Sequence, residues 1–297
     1  RAGSEELRKE AARSIAEDKI ELGRFFLGQK PTRPAFPEGR MTLDSLLKYF
    51  KPEDFPVLVE KKYDGARHEA HVKDGVVKVF SDDGEDNTHR LPETVAALKK
   101  LNLTEAIYDI EIEAWEGKKH LPREVVAGYL HSHSEPDDSH LVSNVFGLLH
   151  NGEDLHKKTE DERRAELEKV KFPQSTINEP DLRYRLNLVP SKIAKNVEEL
   201  RKIVQDLRWR PGSEGVLVKK CKGRYYLDRN SRNAWFKLHN TAILAGIVIE
   251  VIETKTAGVY NYRYGIDQGN YKVKPGDLAE VKDREWLEVG KTFSTEK

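Results

Sequence analysis

The chain of 297 residues contains one cysteine, Cys221, and one methionine, Met41. A lone thiol forms no internal disulfide and supplies no cysteine-based zinc site, which fits a reducing compartment. Also missing is any apolar run of about 18 residues, and the N-terminus lacks the charged, apolar, small-residue order of a secretory leader. The sequence therefore predicts neither a membrane span nor export, and an intracellular protein is expected. Net charge is absent as well, since 51 Lys and Arg offset 51 Asp and Glu. An ion-rich chain poor in Gln, Cys and Met leans toward a heat-adapted source.

What the chain does have is aromatic mass: 10 Phe, 11 Tyr and 4 Trp rule out a disordered polymer, and the length allows two domains. The zero net charge conceals segregation. Residues 133–167 carry 4 basic and 9 acidic side chains, a net of −5, whereas residues 192–240 carry 13 and 5, a net of +8. The basic stretch, with Lys192, Lys195, Arg201 and Lys202 near its start, is either a solvated helix face or a surface that contacts phosphates.

Near the N-terminus Ser4 is placed to cap a helix whose stripe runs through Leu7, Ala11, Ile15, Leu22 and Phe26, interrupted at Asp18 and Lys19. Pro31, Pro34 and Pro37 then make residues 28–40 a surface linker before a short helix at 43–50. From Phe55 the period changes to strands at 56–61, 68–72, 76–80, 106–114 and 143–149, with helices at 92–101, 160–170 and 197–207. Strands and helices mix without strict alternation, which predicts an α+β fold. After Asn240 the text is almost wholly strand (242–252, 261–266, 278–281) around Gly258 and a Pro275-Gly276-Asp277 turn, so 241–297 is expected to form a small β-barrel.

Chemistry concentrates in residues 57–67, VLVEKKYDGAR, a strand that ends in lysine before an Asp-Gly turn. Such a turn holds an amine at the floor of a cleft, and Gly65 lets backbone approach a phosphate. Nearby cations, Lys61 and Arg67, would lower a lysine's pKa and leave free amine to attack phosphorus. On its own, Lys-x-Asp-Gly reads as an ordinary hairpin turn with a solvated lysine. A second cluster, His131, His133, Asp137, Asp138 and His140, matches no metal-ligand spacing and reads as a solvated loop.

Order is what separates the first motif from chance. KYDGAR (62–67), DIE (109–111), Val145-Phe146, SEGVLVK (213–219) and WFK (235–237) follow one another in a way that resembles the ATP-dependent DNA ligases, over about residues 45–297. Those enzymes are covalent nucleotidyltransferases, a group that includes RNA ligases and mRNA capping enzymes. The resemblance implies a helical segment and linker at 1–44, an adenylation domain at 45–240, and an OB-fold-like domain at 241–297 that closes over the cleft. Residues 1–44 are too short for a large helical DNA clamp.

By the same likeness Lys62 is the nucleophile that takes AMP from ATP as a phosphoramidate. AMP then passes to a 5′-phosphate at a nick in duplex DNA, and the 3′-hydroxyl displaces it. Glu60 is implied to recognise adenine, Arg67 to contact ribose and the nick phosphate, Phe146 to pack on adenine, and Lys219 and Lys237 to lie near the phosphates. Glu111 is implied to lie near ribose and metal, and Glu214 to bind metal; both would take Mg²⁺ or Mn²⁺, because phosphoryl transfer gathers charge that cations must offset. Taken singly, each charged position also reads as the wet face of a strand, and Phe146 as plain core.

The expected partner is nicked duplex DNA, met by a monomer in the cytoplasm or at the nucleoid during DNA repair or replication. RNA ligation or GTP-dependent capping would use the same nucleophile and carboxylates. A non-catalytic nucleic-acid-binding module would keep the scaffold alone. Asp82 stands where many relatives carry Arg, Gly147 where Asp often follows the Phe, and His239 where a second Lys usually ends the Trp element. No Arg-x-Asp-Lys element occurs before Lys297. Either it lies beyond that residue and the barrel is incomplete here, or self-adenylation is slow without it.

Overall fold

The computed structural model describes residues 2–32, 43–172, 184–210, 212–240, 243–253, 259–267, 273–282 and 292–296. The chain divides into two compact units, residues 1–239 and 240–297. The first contains, in order, α1 (Ala2–Glu17), β1 (Leu27–Lys30), α2 (Leu43–Tyr49), β2 (Val57–Tyr63), β3 (Ala66–Lys73), β4 (Val76–Ser81), α3 (Pro92–Leu98), β5 (Glu105–Glu116) and β6 (Lys119–Leu121). There follow α4 (Arg123–Leu130), β7 (Leu141–Asn151), α5 (Glu160–Glu168), β8 (Leu186–Leu188), β9 (Ser191–Ala194), α6 (Val197–Leu207), β10 (Ser213–Lys220), β11 (Asp228–Asn230) and β12 (Trp235–His239).

Two sheets organise these elements. A four-stranded sheet is ordered β12-β10-β2-β9, and a six-stranded one β4-β3-β5-β7-β8 with β6 beside β5. The Asp64-Gly65 turn carries the chain from the first sheet into the second, so β2 and β3 belong to different sheets although consecutive in sequence. The first five residues of β2 are buried, as a central strand covered on both faces requires.

Each sheet is backed by helices whose apolar stripes match it. Leu46 and Leu47 of α2, with Leu200, Val204 and Leu207 of α6, pack on Val57, Val59, Val216 and Val218. Asn196 starts α6 by accepting the Glu199 N–H at 2.9 Å. On the larger sheet, Leu98 of α3 and Val126 and Leu130 of α4 cover Ala70, Val79, Ile110 and Ile112. Burying a side chain of this size stabilises by about 1.5–3 kcal/mol. A third cluster, including Ile20, Phe26, Ile107, Phe146, Tyr225 and Trp235, joins the N-terminal segment to both sheets.

Mixed helix and sheet agrees with the expected α+β class, but several local expectations change. Helix α1 starts at Ala2, so Ser4 lies within it rather than capping it. It stops at Glu17 because Asp18 turns to a φ of 46°, its carboxylate held by Arg224 at 2.8 Å and by His156 at 3.1 Å. Phe26 is therefore buried from an extended segment, not from a helix; upstream, the Ile20 and Gly23 N–H groups donate to Asp154 and His71, both at 3.0 Å. The supposed linker contains β1, which pairs in parallel with β11, while residues 33–42 lie outside the described ones. In the histidine loop Asp138 is buried and caps α3, accepting from the Glu93 and Thr94 N–H groups at 2.9 and 3.1 Å. No group of three metal-ligating side chains occurs among the described residues.

The second unit contains β13 (Ile243–Glu253), β14 (Val259–Asp267), β15 (Val273–Lys282) and β16 (Thr292–Glu296), in one antiparallel sheet ordered β15-β14-β13-β16. Among the described residues this sheet is open, not the closed barrel expected. Strand β15 runs straight through Pro275-Gly276-Asp277, where a turn was expected. The register opposite shifts between Arg263 and Gly265, and such an irregularity is a setting in which a strand tolerates proline. Gly258 lies outside the described residues. No described helix is long and apolar enough to cross a membrane.

Candidate active site

A cavity of about 400 Å³ is walled by residues of both sheets of the first unit, within the size range of small-molecule sites. Glu60 to Tyr63 of β2, Glu214 and Leu217 of β10, and Trp235, Lys237 and His239 of β12 supply one side. Ala66 to His68 of β3, Glu111 of β5, Phe146 of β7 and the Arg123, Ala127 and Leu130 stripe of α4 supply the other.

Near the end of β2, Lys62 donates to Glu214 Oε2, and Glu214 Oε1 lies 2.8 Å from His239 Nδ1. Burial opposes ionisation of Glu214, but hydrogen bonds and attraction from His239 and Lys62 outweigh it and hold the carboxyl down at about 2. Gly215 makes this contact possible: at its φ of 146° a Cβ would lie 1.9 Å from the Leu238 carbonyl oxygen, so only glycine lets β10 approach β12 here. Gly65 serves similarly. A Cβ there would meet the Ile112 carbonyl oxygen at 2.3 Å and the Glu111 side chain at 3.2 Å, so this glycine seats the turn against β5, and it also lines the cavity.

Glu111 faces the cavity from β5. Burial pushes its carboxyl up to about 8, against the pull of Lys62 and Arg67. The cations expected around Lys62 are engaged elsewhere. Lys61 Nζ sits 4.1 Å above the Tyr63 ring. Arg67 donates to Asp109 at 2.7 Å, to the Tyr225 hydroxyl at 2.7 Å and to the Gln29 carbonyl at 2.5 Å, with Phe146 under its guanidinium.

Of the expected set, Glu60, Lys62, Arg67, Glu111, Phe146, Glu214 and Lys237 all line the cavity, and Lys219 does not. Lys219 is fully buried behind it, 2.7 Å from Glu60 Oε2 and 3.4 Å from Glu160 Oε1, with its ammonium 4.5 Å from the centre of the Trp235 ring. Glu60 is buried too. Burial pushes its carboxyl up, opposed by Lys219 and Arg164.

Sequence reasoning missed Arg123, His68, Asn87 and Lys30 on the cavity wall. His68 is held neutral, Nδ1 donating to the Ala66 carbonyl at 3.0 Å and Nε2 accepting from Asn87 at 3.1 Å, and burial lowers its pKa to about 4. No local motif marks these residues, since only the folded topology brings α4 and the β4 turn to the same opening. Asp82, where a missing cation was noted, instead binds two: Lys30 at 2.6 Å and Arg229 at 3.0 Å. The basic stretch is largely matched by carboxylates: Lys192 and Arg210 pair with Asp206, Arg201 with Asp44, Lys220 with Asp54 and Lys222 with Asp161. Its excess charge is thus less free for phosphates than a count suggests.

The chain is 30% identical over 220 residues to DNA ligase 1 of Saccharomyces cerevisiae, a stretch covering 70% of this chain and 28% of that one. It is 27% identical over 266 residues to a probable DNA ligase of Koribacter versatilis, covering 80% of this chain and 45% of the relative. The chain therefore spans less than half the length of these curated relatives. In fold it is similar to a solved structure from the Lig E DNA ligases, with a TM-score of 0.53 and 15% identity over 81% of this chain and 85% of that one. Residues 41–239 match the family model of the ATP dependent DNA ligase domain, and with more than half its length so matched the chain belongs to the ATP-dependent DNA ligase family.

Proposed function

We propose that this chain seals nicks in duplex DNA at the expense of ATP, through AMP carried covalently on Lys62. The observation that carries the reading is the lysine at the end of a buried strand, paired to Glu214 in a cavity that Glu111, Phe146 and Lys237 also line. In the first step Lys62 Nζ, having lost a proton to solvent, attacks the α-phosphorus of ATP; the N–P bond forms, the bond to the bridging oxygen breaks, and pyrophosphate leaves. A 5′-phosphate oxygen next attacks the same phosphorus and releases the lysine amine. The 3′-hydroxyl finally attacks the 5′-phosphorus, and AMP departs.

The chain's residues divide the work. Glu214, ionised at any physiological pH, orients the Lys62 ammonium rather than serving as its base. Phe146 offers a flat apolar wall to the adenine ring, while Glu60, buried and rich in acceptor oxygens, is assigned to its exocyclic amine. Arg67 is assigned to the ribose side and the nick phosphate, and Lys237 to the α-phosphate. Lys219 is assigned a supporting role, fixing Glu60 from behind.

Glu111 and Glu214 are hard oxygen donors, and the ionised form of Glu111 is under-compensated in the folded chain. That donor set fits Mg²⁺ or Mn²⁺, since Mg²⁺ is commonly held by one or two carboxylates together with substrate phosphates. When bound, the ion would offset the charge on the phosphate oxygens. Residues 45–240 are read as the adenylation domain, and the open sheet of the second unit as part of an OB-fold-like domain that helps hold the DNA.

Incubation with α-labelled ATP and Mg²⁺, followed by denaturing electrophoresis, tests the reading on the parent chain and on Lys62→Ala. Label on the parent alone supports it, and transfer of that label to nicked DNA in preference to nicked RNA completes it. A covalent GMP adduct without an AMP adduct would point to capping-type chemistry. No adduct with either nucleotide, beside retained nucleic-acid binding, would leave a non-catalytic module.

A further inference from the structure

Strand β1 lies outside the stretch, 41–239, that matches the family model, yet it forms part of the cleft: Lys30 and the following Pro31 line the cavity. The backbone fixes it there. Leu27 and Lys30 pair with Asp228 and Asn230. The Thr32 N–H donates to the Trp235 carbonyl at 2.8 Å, the Lys237 N–H donates to the Thr32 carbonyl at 3.3 Å, and the Thr32 and Ser231 hydroxyls are 2.6 Å apart. The segment is thus an added edge on β12, the strand that carries Lys237. Its Gln29 carbonyl also holds Arg67, at 2.5 Å.

Asp82 binds both Lys30 and Arg229, and Arg229 also reaches Asp83 at 3.1 Å, so Lys30 shares the Asp82 carboxylate with a second cation that has a carboxylate of its own. The Lys30 side chain is 47% exposed. An ion pair this open to water is weak, and its ammonium is available to a second oxyanion.

We infer that Lys30 is a further binding residue of this cleft, contacting a phosphate oxygen, with Asp82 and the β1 edge holding it in place. The inference rests on the adenylating reading above. The phosphate belongs either to ATP or to the 5′ end of the nicked strand, and two assays separate these sources. One measures the ATP concentration for half-maximal adduct formation, and the other the nicked-DNA concentration for half-maximal AMP transfer from chain adenylated beforehand. Lys30→Gln is expected to raise one of them about ten-fold, the worth of one charge-assisted hydrogen bond, and Lys30→Arg to restore it to within about two-fold of the parent. The inference is overturned if Lys30→Gln changes neither value, or if Lys30→Arg is no better than Lys30→Gln, which would mark a packing effect. Should the parent take no AMP at all, the adenylating reading itself fails. Calorimetric titrations of ATP and of nicked DNA into the parent and Lys30→Gln then decide the residue separately, equal affinities for both ligands removing it from the site and a weaker variant with either one keeping it there.

Discussion

Lys62 and Glu214 form an ion pair across the ladder between β2 and β10, because Lys62 stands opposite Gly215 and so beside the carboxylate that precedes it. The nucleophile is thereby aimed by a group whose charge does not change in the working pH range. Glu214→Gln keeps the shape and removes that charge. Its rate of adduct formation at saturating ATP is expected to fall on the order of a hundred-fold or more, in the range seen when one preorganised electrostatic partner is lost. Single-turnover labelling measures this directly, and a rate within a few-fold of the parent would show that the pair is incidental.

Glu111 makes stability depend on pH. Its folded pKa of about 8 lies above the ordinary value of 4.5, so the folded chain binds the proton more tightly than the unfolded chain. The associated stability is complete below about 4.5 and is lost as pH rises toward 8, with no further loss above. Glu111→Gln mimics the protonated form and does not titrate. Between pH 5 and 8 the melting temperature of the parent is expected to fall by about 5 °C or more relative to that of Glu111→Gln. Parallel melting curves across that window would mean that Glu111 is ionised in the folded chain.

Much of this site was legible before folding because its residues sit in local patterns: a lysine at a strand end, an Asp-Gly turn, a Glu-Gly pair opening an aliphatic strand. Each local pattern placed its residue at the right end of a strand. What was not legible depends on which element packs behind another. Lys219 and Lys237 both occupy strands and both read as strand-end cations, yet one is walled in by Glu60, Glu160 and Trp235 while the other faces the cavity. Likewise Pro31, Pro34 and Pro37 mark residues 28–40 as a break in helical pattern, and of these the described residues 28–32 are not helical, but the prolines say nothing about β1 finding β11 some two hundred positions later. The helix drawn through Leu22 and Phe26 failed because apolar spacing does not reveal a left-handed Asp18.

The approach of β1 to Arg67 is close enough to exclude a methyl group. A Cβ on Gly28 would lie 2.5 Å from the Tyr225 hydroxyl and 2.8 Å from Arg67 Nη2, whereas one on Gly128 in α4 would meet nothing within 4 Å. Gly28→Ala is therefore expected to destabilise by about 1–3 kcal/mol through overpacking. Gly128→Ala, in a helix, should stabilise by up to about 1 kcal/mol through backbone entropy. Urea denaturation of the two variants checks the contrast, and equal effects would mean that β1 yields without disturbing Arg67.

Lys219 separates a structural cation from a catalytic one. Buried against Glu60 and Glu160, its ammonium matches carboxylates that have no access to water. Lys219→Met removes the nearer partner and leaves Glu60 with Arg164 alone, 3.6 Å away, at an expected cost of about 3 kcal/mol. Adding Glu60→Gln to that variant removes the stranded charge and should recover a large part of the loss, since the cost of a buried pair lies mainly in breaking it by halves. Denaturant titration of the two single variants and the double variant forms the required cycle. If Lys219 instead touched the phosphates of ATP, Lys219→Met would keep the parent's stability while losing adduct formation, and the second substitution would rescue nothing.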